Sequence, residues 1–165
     1  MRLALLRHGR AEDREMWIGR DLLRPLTTDG ANRCRRLCTS YRRFCEVDQI
    51  WSSPATRARQ TANIAAEVWR VPVREFPCLG PDPIDPGEII DELVPLGARS
   101  PLIVGHEPNL SELADHLGGG CLVLRKGGLA MLDGELHAHG MRLHALLAPR
   151  HLFSALAVSS PGPLR

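Results

Sequence analysis

The run Arg2-Leu3-Ala4-Leu5-Leu6-Arg7-His8-Gly9 decides how the rest of the chain is read. Residues 2–6 form a short apolar stretch of the kind that fills a strand buried on both faces. Arg7-His8-Gly9 closes it, and the glycine marks the exit into a loop. A second run with the same character, Pro101-Leu102-Ile103-Val104-Gly105, also ends in a histidine, His106. Between them lie Val47–Trp51, read as another strand, and Ser52-Ser53-Pro54, a signal for a helix start. Serine can cap free backbone donors, and proline at the first helical position loses nothing by lacking an N–H.

Working outward, residues 10–27 read as a loop containing Gly19 and Pro25. A helix is expected from Thr28 or Asp29, with Ala31, Cys34, Leu37, Cys38, Tyr41 and Cys45 at helical spacing. The helix opened by Ser52-Ser53-Pro54 should run to about Trp69. Residues 71–76 are a weak strand that Pro72 assigns to an edge. Residues 77–86 are a proline-rich loop, 88–94 a short helix, and 108–117 a further helix. Cys121–Arg125, Gly128–Asp133 and Met141–Leu147 alternate apolar and polar residues and are expected as antiparallel strands. Residues 159–165 read as a flexible tail. No repeat or linker divides the chain, so residues 1–165 are expected to form one domain.

Strands alternating with helices imply an α/β fold: a three-layer sandwich with a mostly parallel mixed sheet and helices on both faces. In such sheets ligands bind beyond the carboxyl ends of the strands. Arg7-His8-Gly9, Ser52-Ser53-Pro54 and Gly105-His106 all fall there.

Composition narrows the function classes. The chain has 165 residues, 44% hydrophobic and 24% charged, which is ordinary for a globular protein. A net charge of +2 does not call for a nucleic-acid partner. No apolar run is long enough to span a bilayer, and the N-terminus reads as a strand instead of a signal peptide. The expected setting is the cytoplasm, with no membrane partner. The five cysteines lack CxxC spacing, which argues against a disulfide framework or a zinc site. Arg33, Arg35, Arg36, Arg42 and Arg43 read as a solvated helix face.

The chemistry that suits these residues is phosphoryl transfer, which depends on positioning and charge stabilisation. Arg7 and Arg57 offer planar forks of donors that stay protonated. Arg57 falls in a first helical turn, where the backbone dipole also favours an anion. A neutral His8 could attack phosphorus, and His106, if protonated, could donate to a phosphate oxygen. The acid that would protonate a leaving oxygen stays open among Glu12, Asp13, Glu88 and Glu107. Glu88 opens a helix after the proline-rich loop. No metal ligand set stands out, and no metal or cofactor is expected.

Four segments taken together, LLRHGRA at 5–11, RPLTTDG at 24–30, SSPATRARQTA at 52–62 and VGHEPNL at 104–110, resemble the histidine phosphatase superfamily, also called phosphoglycerate mutase-like. The resemblance covers roughly residues 1–133, and the short length is most similar to the SixA branch of phosphohistidine phosphatases. It implies a mixed-sheet α/β sandwich, His8 as nucleophile, Arg7, Arg57 and His106 as a phosphate pocket, and Arg24 at its mouth. It also places the acid of larger relatives broadly near Glu88. The implied partner is a protein carrying phosphohistidine, with a small phosphate ester or a silent phosphate-binding module as alternatives.

Overall fold

In the computed structural model, which describes residues 1–150 and 152, ten regular elements are wound around one six-stranded sheet. The tail expected at 159–165 lies outside the described residues. In chain order the elements are β1 (Arg2–Arg7), α1 (Thr28–Tyr41), β2 (Gln49–Ser52), α2 (Thr56–Trp69), β3 (Val73–Glu75), α3 (Pro86–Leu93), β4 (Pro101–Gly105), α4 (Asn109–His116), β5 (Leu129–Gly134) and β6 (Met141–Leu147). The strand order is β3-β2-β4-β1-β5-β6. The first four in that order are mutually parallel, β5 pairs antiparallel with β1, and β6 pairs antiparallel with β5 at the edge.

The two apolar faces follow from the period of two along each strand. Leu3 and Leu5 of β1, Trp51 of β2 and Ile103 of β4 pack on one side with Ile89, Leu93, Leu110 and Leu113 from α3 and α4. Ala4, Leu6, Ile50, Leu102 and Val104 point to the other side, onto Cys34, Leu37, Cys38 and Tyr41 of α1 and Ala58, Ala62 and Ala65 of α2. The sheet is thus covered on both faces, the three-layer sandwich expected from the sequence.

Three local readings change. Cys121–Arg125 is not a strand. Its alternation is real, with Leu122 and Leu124 buried and Val123 exposed. The backbone groups of Leu124, however, are taken by side chains: Glu107 accepts from its N–H and Arg7 donates to its C=O. Alternation records one-sided burial, which a ladder is only one way to achieve. Next, helix α2 starts at Thr56, with Ala55 as an N-cap that offers no side-chain acceptor, so Pro54 precedes the helix. Ser53 Oγ instead accepts from Ala55 N–H inside the turn. By contrast, α1 begins as read, with Thr27 Oγ1 accepting from Gly30 N–H at 2.8 Å. Finally, β3 is shorter than its expected span but does lie at the sheet edge.

Candidate active site

Register brings three strand ends level. Arg7 lies opposite Gly105 across the β1–β4 pair, and Ser52 opposite Val104 across β2–β4. The next residues, His8, Ser53 and His106, therefore emerge side by side. The His8 and His106 rings stand 5.0 Å apart, tilted by 54°. His8, Arg57 and His106 are all buried, and they line one cleft with Arg7, Arg24 and Lys126. Its volume is about 1000 Å³.

Each side chain is held by identifiable partners. His8 Nδ1 lies 2.8 Å from Gly9 O. A carbonyl only accepts, so Nδ1 carries the hydrogen and Nε2 keeps its lone pair. Gly9 N–H donates to Thr61 Oγ1, and Thr61 in turn donates to Arg57 O, which locks the His8 loop to α2. Behind it, Gly127 N–H is shared by the carbonyls of Arg7 and His8, while Tyr41 OH donates to Gly127 O at 2.7 Å. Gly127 has φ +77, a conformation that suits glycine in this turn. His106 Nε2 pairs with Ser53 Oγ at 2.8 Å, leaving Nδ1 buried with no partner among the described residues.

The two guanidinium groups share a pattern. Arg7 donates from one terminal nitrogen to Leu124 O, and Arg57 from one to Asp21 O and from the other to the Asp21 carboxylate at 3.0 Å. In both, Nε is buried without a hydrogen-bond partner among the described residues. Buried polar atoms are nearly always paired, and the exceptions concentrate where a ligand or water belongs.

Burial sets the charge states. It pushes His8 down to about 3, with the neighbouring His106 and the Arg57 and Arg7 charges acting the same way. His106 is likewise lowered to about 3 by burial and then Arg57. Both rings are neutral near pH 7. In this form His106 offers a neutral N–H, the alternative to the protonated ring considered from the sequence. Partial burial alone would raise Asp21, but the Arg24 hydrogen bond and the Arg57 and Arg24 charges hold it below the usual carboxylate range.

Arg24, expected at the mouth, does line the cleft, and two of its nitrogens are tied to neighbours. Nε bonds Asp21 at 2.9 Å and a terminal nitrogen bonds Glu12 O at 2.7 Å. Glu88 is not brought to the site. It stands exposed on the first turn of α3, because that helix turns Ile89, Ile90 and Leu93 inward and leaves Glu88 on the opposite side. Of the other carboxyl candidates, Glu12, Asp13 and Glu107 line the cleft, together with Glu15, Asp21 and Asp82. Glu107 is already accepting from Leu124 N–H. Asp21 lines the cleft, and Ser53 and Thr61 hold His106 and the His8 loop in place; all three were missed. Ser53 and Thr61 lie inside a motif, so a signal existed for them; Asp21 is 36 residues from Arg57 and left none. Among the described residues, no group of three or more His, Cys, Asp or Glu side chains is placed to hold a metal ion. His137 and His139, whose spacing would have put them on one strand face, sit in the turn between β5 and β6 instead.

A mostly parallel α/β sheet whose aligned carboxyl ends gather two neutral histidines and buried arginines defines a domain shaped for a tetrahedral anion. Comparison with known proteins gives that class its family. The sequence profile of the histidine phosphatase superfamily (branch 1) matches residues 3–80. The structure is similar to that of the protein histidine phosphatase SixA complexed with tungstate, with TM-score 0.81 and 24% identity over 92% of this chain and 99% of that one. It is also similar to a protein from Agrobacterium tumefaciens described as a SixA phosphohistidine phosphatase, with TM-score 0.70 and 25% identity over 90% and 97% of the two chains. A protein from Escherichia coli described as an α-ribazole-5'-P phosphatase shares the fold, with TM-score 0.75 and 18% identity over 90% and 98%. No curated protein sequence matches the chain. Residues 3–80 thus match the histidine phosphatase superfamily, and the fold over nine-tenths of the chain is similar to that of SixA phosphohistidine phosphatases.

Proposed function

We propose that this protein removes a phosphoryl group from phosphohistidine in a protein substrate, by way of a covalent phosphohistidine on His8. One observation carries the reading. The His8 ring is neutral, its Nδ1–H is fixed to Gly9 O, and Nε2 keeps its lone pair beside Arg57 and His106. In the first step, Nε2 attacks phosphorus; a bond from phosphorus to His8 forms as the bond to the leaving nitrogen breaks. In the second, water attacks phosphorus and returns His8 and inorganic phosphate. Arg7 and Arg57 stabilise charge on the equatorial oxygens. Ser53, donating to His106 Nε2, leaves Nδ1–H of that ring to bond a phosphate oxygen.

The carboxyl groups favour a P–N substrate. Asp21 is bound by arginines and Glu107 by Leu124, so neither is free to act as a strong acid. An imidazole leaves more readily than an alkoxide and needs less help. The wide cleft also suits a side chain presented by a protein surface. Five unpaired cysteines among the described residues suit the reducing cytoplasm expected from the sequence. A second reading, a small phosphate ester, is favoured by one observation: the exposed carboxyl groups of Glu12 and Asp13 stand at the cleft and could protonate an ester oxygen.

The test is turnover of a phosphohistidine protein against a panel of phosphate monoesters. The reading expects preference for the former, with a trapped phosphoenzyme that is labile in acid and stable in base. Preference for a monoester would move the assignment to the second reading. A phosphoenzyme on cysteine or aspartate would overturn both.

A further inference from the structure

The segment between β1 and α1 is closed on itself. Ala11 bridges Leu26, Glu12 N–H donates to Pro25 O, and Arg24 donates to Glu12 O. A 3₁₀ turn over Asp21–Leu23 sits at its far side. From that turn Asp21 reaches α2 by two routes: its backbone carbonyl accepts from one terminal nitrogen of Arg57 at 2.8 Å, and its carboxylate meets the other at 3.0 Å. The other carboxylate oxygen holds Arg24 Nε at 2.9 Å, with Arg14 Nε at 3.9 Å. Asp21 thus occupies the end-on edge of the Arg57 fork. The side-on edge, formed by Nε and the second hydrogen of the neighbouring nitrogen, stays uncommitted, and Nε has no partner.

We infer that Asp21 is a positioning residue that holds Arg57 by its far edge and offsets part of the positive charge of the cleft, so that phosphate is bound loosely enough to leave. Two physical consequences follow. A guanidinium held from behind has one orientation in which to meet the transferring group, which is the preorganisation that favours a transition state. A guanidinium released from Asp21 can follow a phosphate wherever it settles. It then strengthens ground-state and product binding, which raises affinity without raising turnover. Removing the carboxylate also leaves Arg7, Arg24 and Arg57 with less negative charge nearby, and electrostatic attraction for any anion rises. Affinity and turnover should therefore move in opposite directions. General structural damage would lower both.

The inference rests on the phosphatase reading of this cleft, and the experiment separates the two. Inorganic phosphate is the probe, measured by calorimetry and as a product inhibitor, with turnover measured in parallel on full-length Asp21→Ala and Asp21→Asn. Asn keeps the size and one acceptor oxygen, so it guards against a folding failure of Ala. Both variants are expected to bind phosphate about threefold to tenfold more tightly, with kcat lowered about tenfold in Ala and less in Asn. In Ala, added formate should restore part of kcat by returning a carboxylate. Phosphate affinity that stays level or weakens in a folded Asp21→Asn overturns the assignment. If the unsubstituted protein binds no phosphate and His8→Ala still turns over, the phosphatase reading of the cleft is what fails. If the unsubstituted protein binds phosphate, His8→Ala is silent and the Asp21 variants bind no more tightly, only the role of Asp21 falls.

Discussion

The two ends of the sheet hold charge in opposite ways. At the carboxyl end, His8, Arg24, Arg57 and His106 are buried, along with Ser52, Ser53, Thr61 and Asn109. At the amino end, Arg2 and His144 meet Asp133 at 3.8 and 3.3 Å, with all three side chains largely open to solvent. The amino-end pairs cost little to form and contribute little, because water screens them. The carboxyl-end groups are removed from water, and several carry a polar atom with no partner among the described residues, so that end is held by the rest of the fold. Its polar groups depend on long-range ties: Tyr41 to Gly127, Gly9 to Thr61, and Asn109 to the carbonyls of Gly80 and Asp82. Polar residues that are buried and incompletely paired mark the working end of the molecule.

Substitutions at the two ends sharpen that contrast. The largest effect is expected for His8→Ala, which should lower turnover at least about a thousandfold while phosphate still binds, since the arginines remain. Substantial turnover by this variant would remove His8 from the chemistry. Gly30→Ala comes next. A Cβ there would stand 2.0 Å from Arg10 O and 2.9 Å from Thr27 Oγ1, so the start of α1 must shift away from the His8 loop. Overpacking of this kind costs about 1–3 kcal/mol, read as a lower urea midpoint. An unchanged midpoint would mean that this end yields more easily than its packing indicates.

A smaller, pH-dependent effect follows from the two rings. Their folded values, about 3, lie below the ordinary 6.5, so the unfolded chain binds more protons between those limits. Stability is then fully present above about pH 6.5 and is lost as pH falls toward 3, by up to about 1.4 kcal/mol per pH unit for each ring. Urea midpoints between pH 4 and 7 should fall in the unsubstituted protein. They should fall less steeply in His8→Asn/His106→Asn, where only the carboxylates still titrate. Parallel slopes would show that the rings are not the source. The smallest effect belongs to the amino end: Arg2→Ala should change stability by less than about 0.5 kcal/mol and leave kcat/KM unaltered. A larger loss would show that exposure is a poor guide to what an ion pair contributes here.

By itself the sequence determined the layers and the strand ends. The period of two in Leu3–Leu6 and Leu102–Val104 and the helical spacing of Cys34, Leu37, Cys38 and Tyr41 set which faces are buried, because burial is a local property of period and side-chain type. Four motifs placed His8, Arg57 and His106 beyond the carboxyl ends of their strands, and register did the rest. Tertiary structure alone decided three things: that Asp21 grips Arg57, that Glu88 is turned out to solvent, and that Leu124 spends its backbone bonds on Arg7 and Glu107. Each depends on the path of a loop or the rotation of a short helix. Those are fixed by a few side-chain to backbone hydrogen bonds between residues distant in the chain, and such bonds impose no period on the sequence.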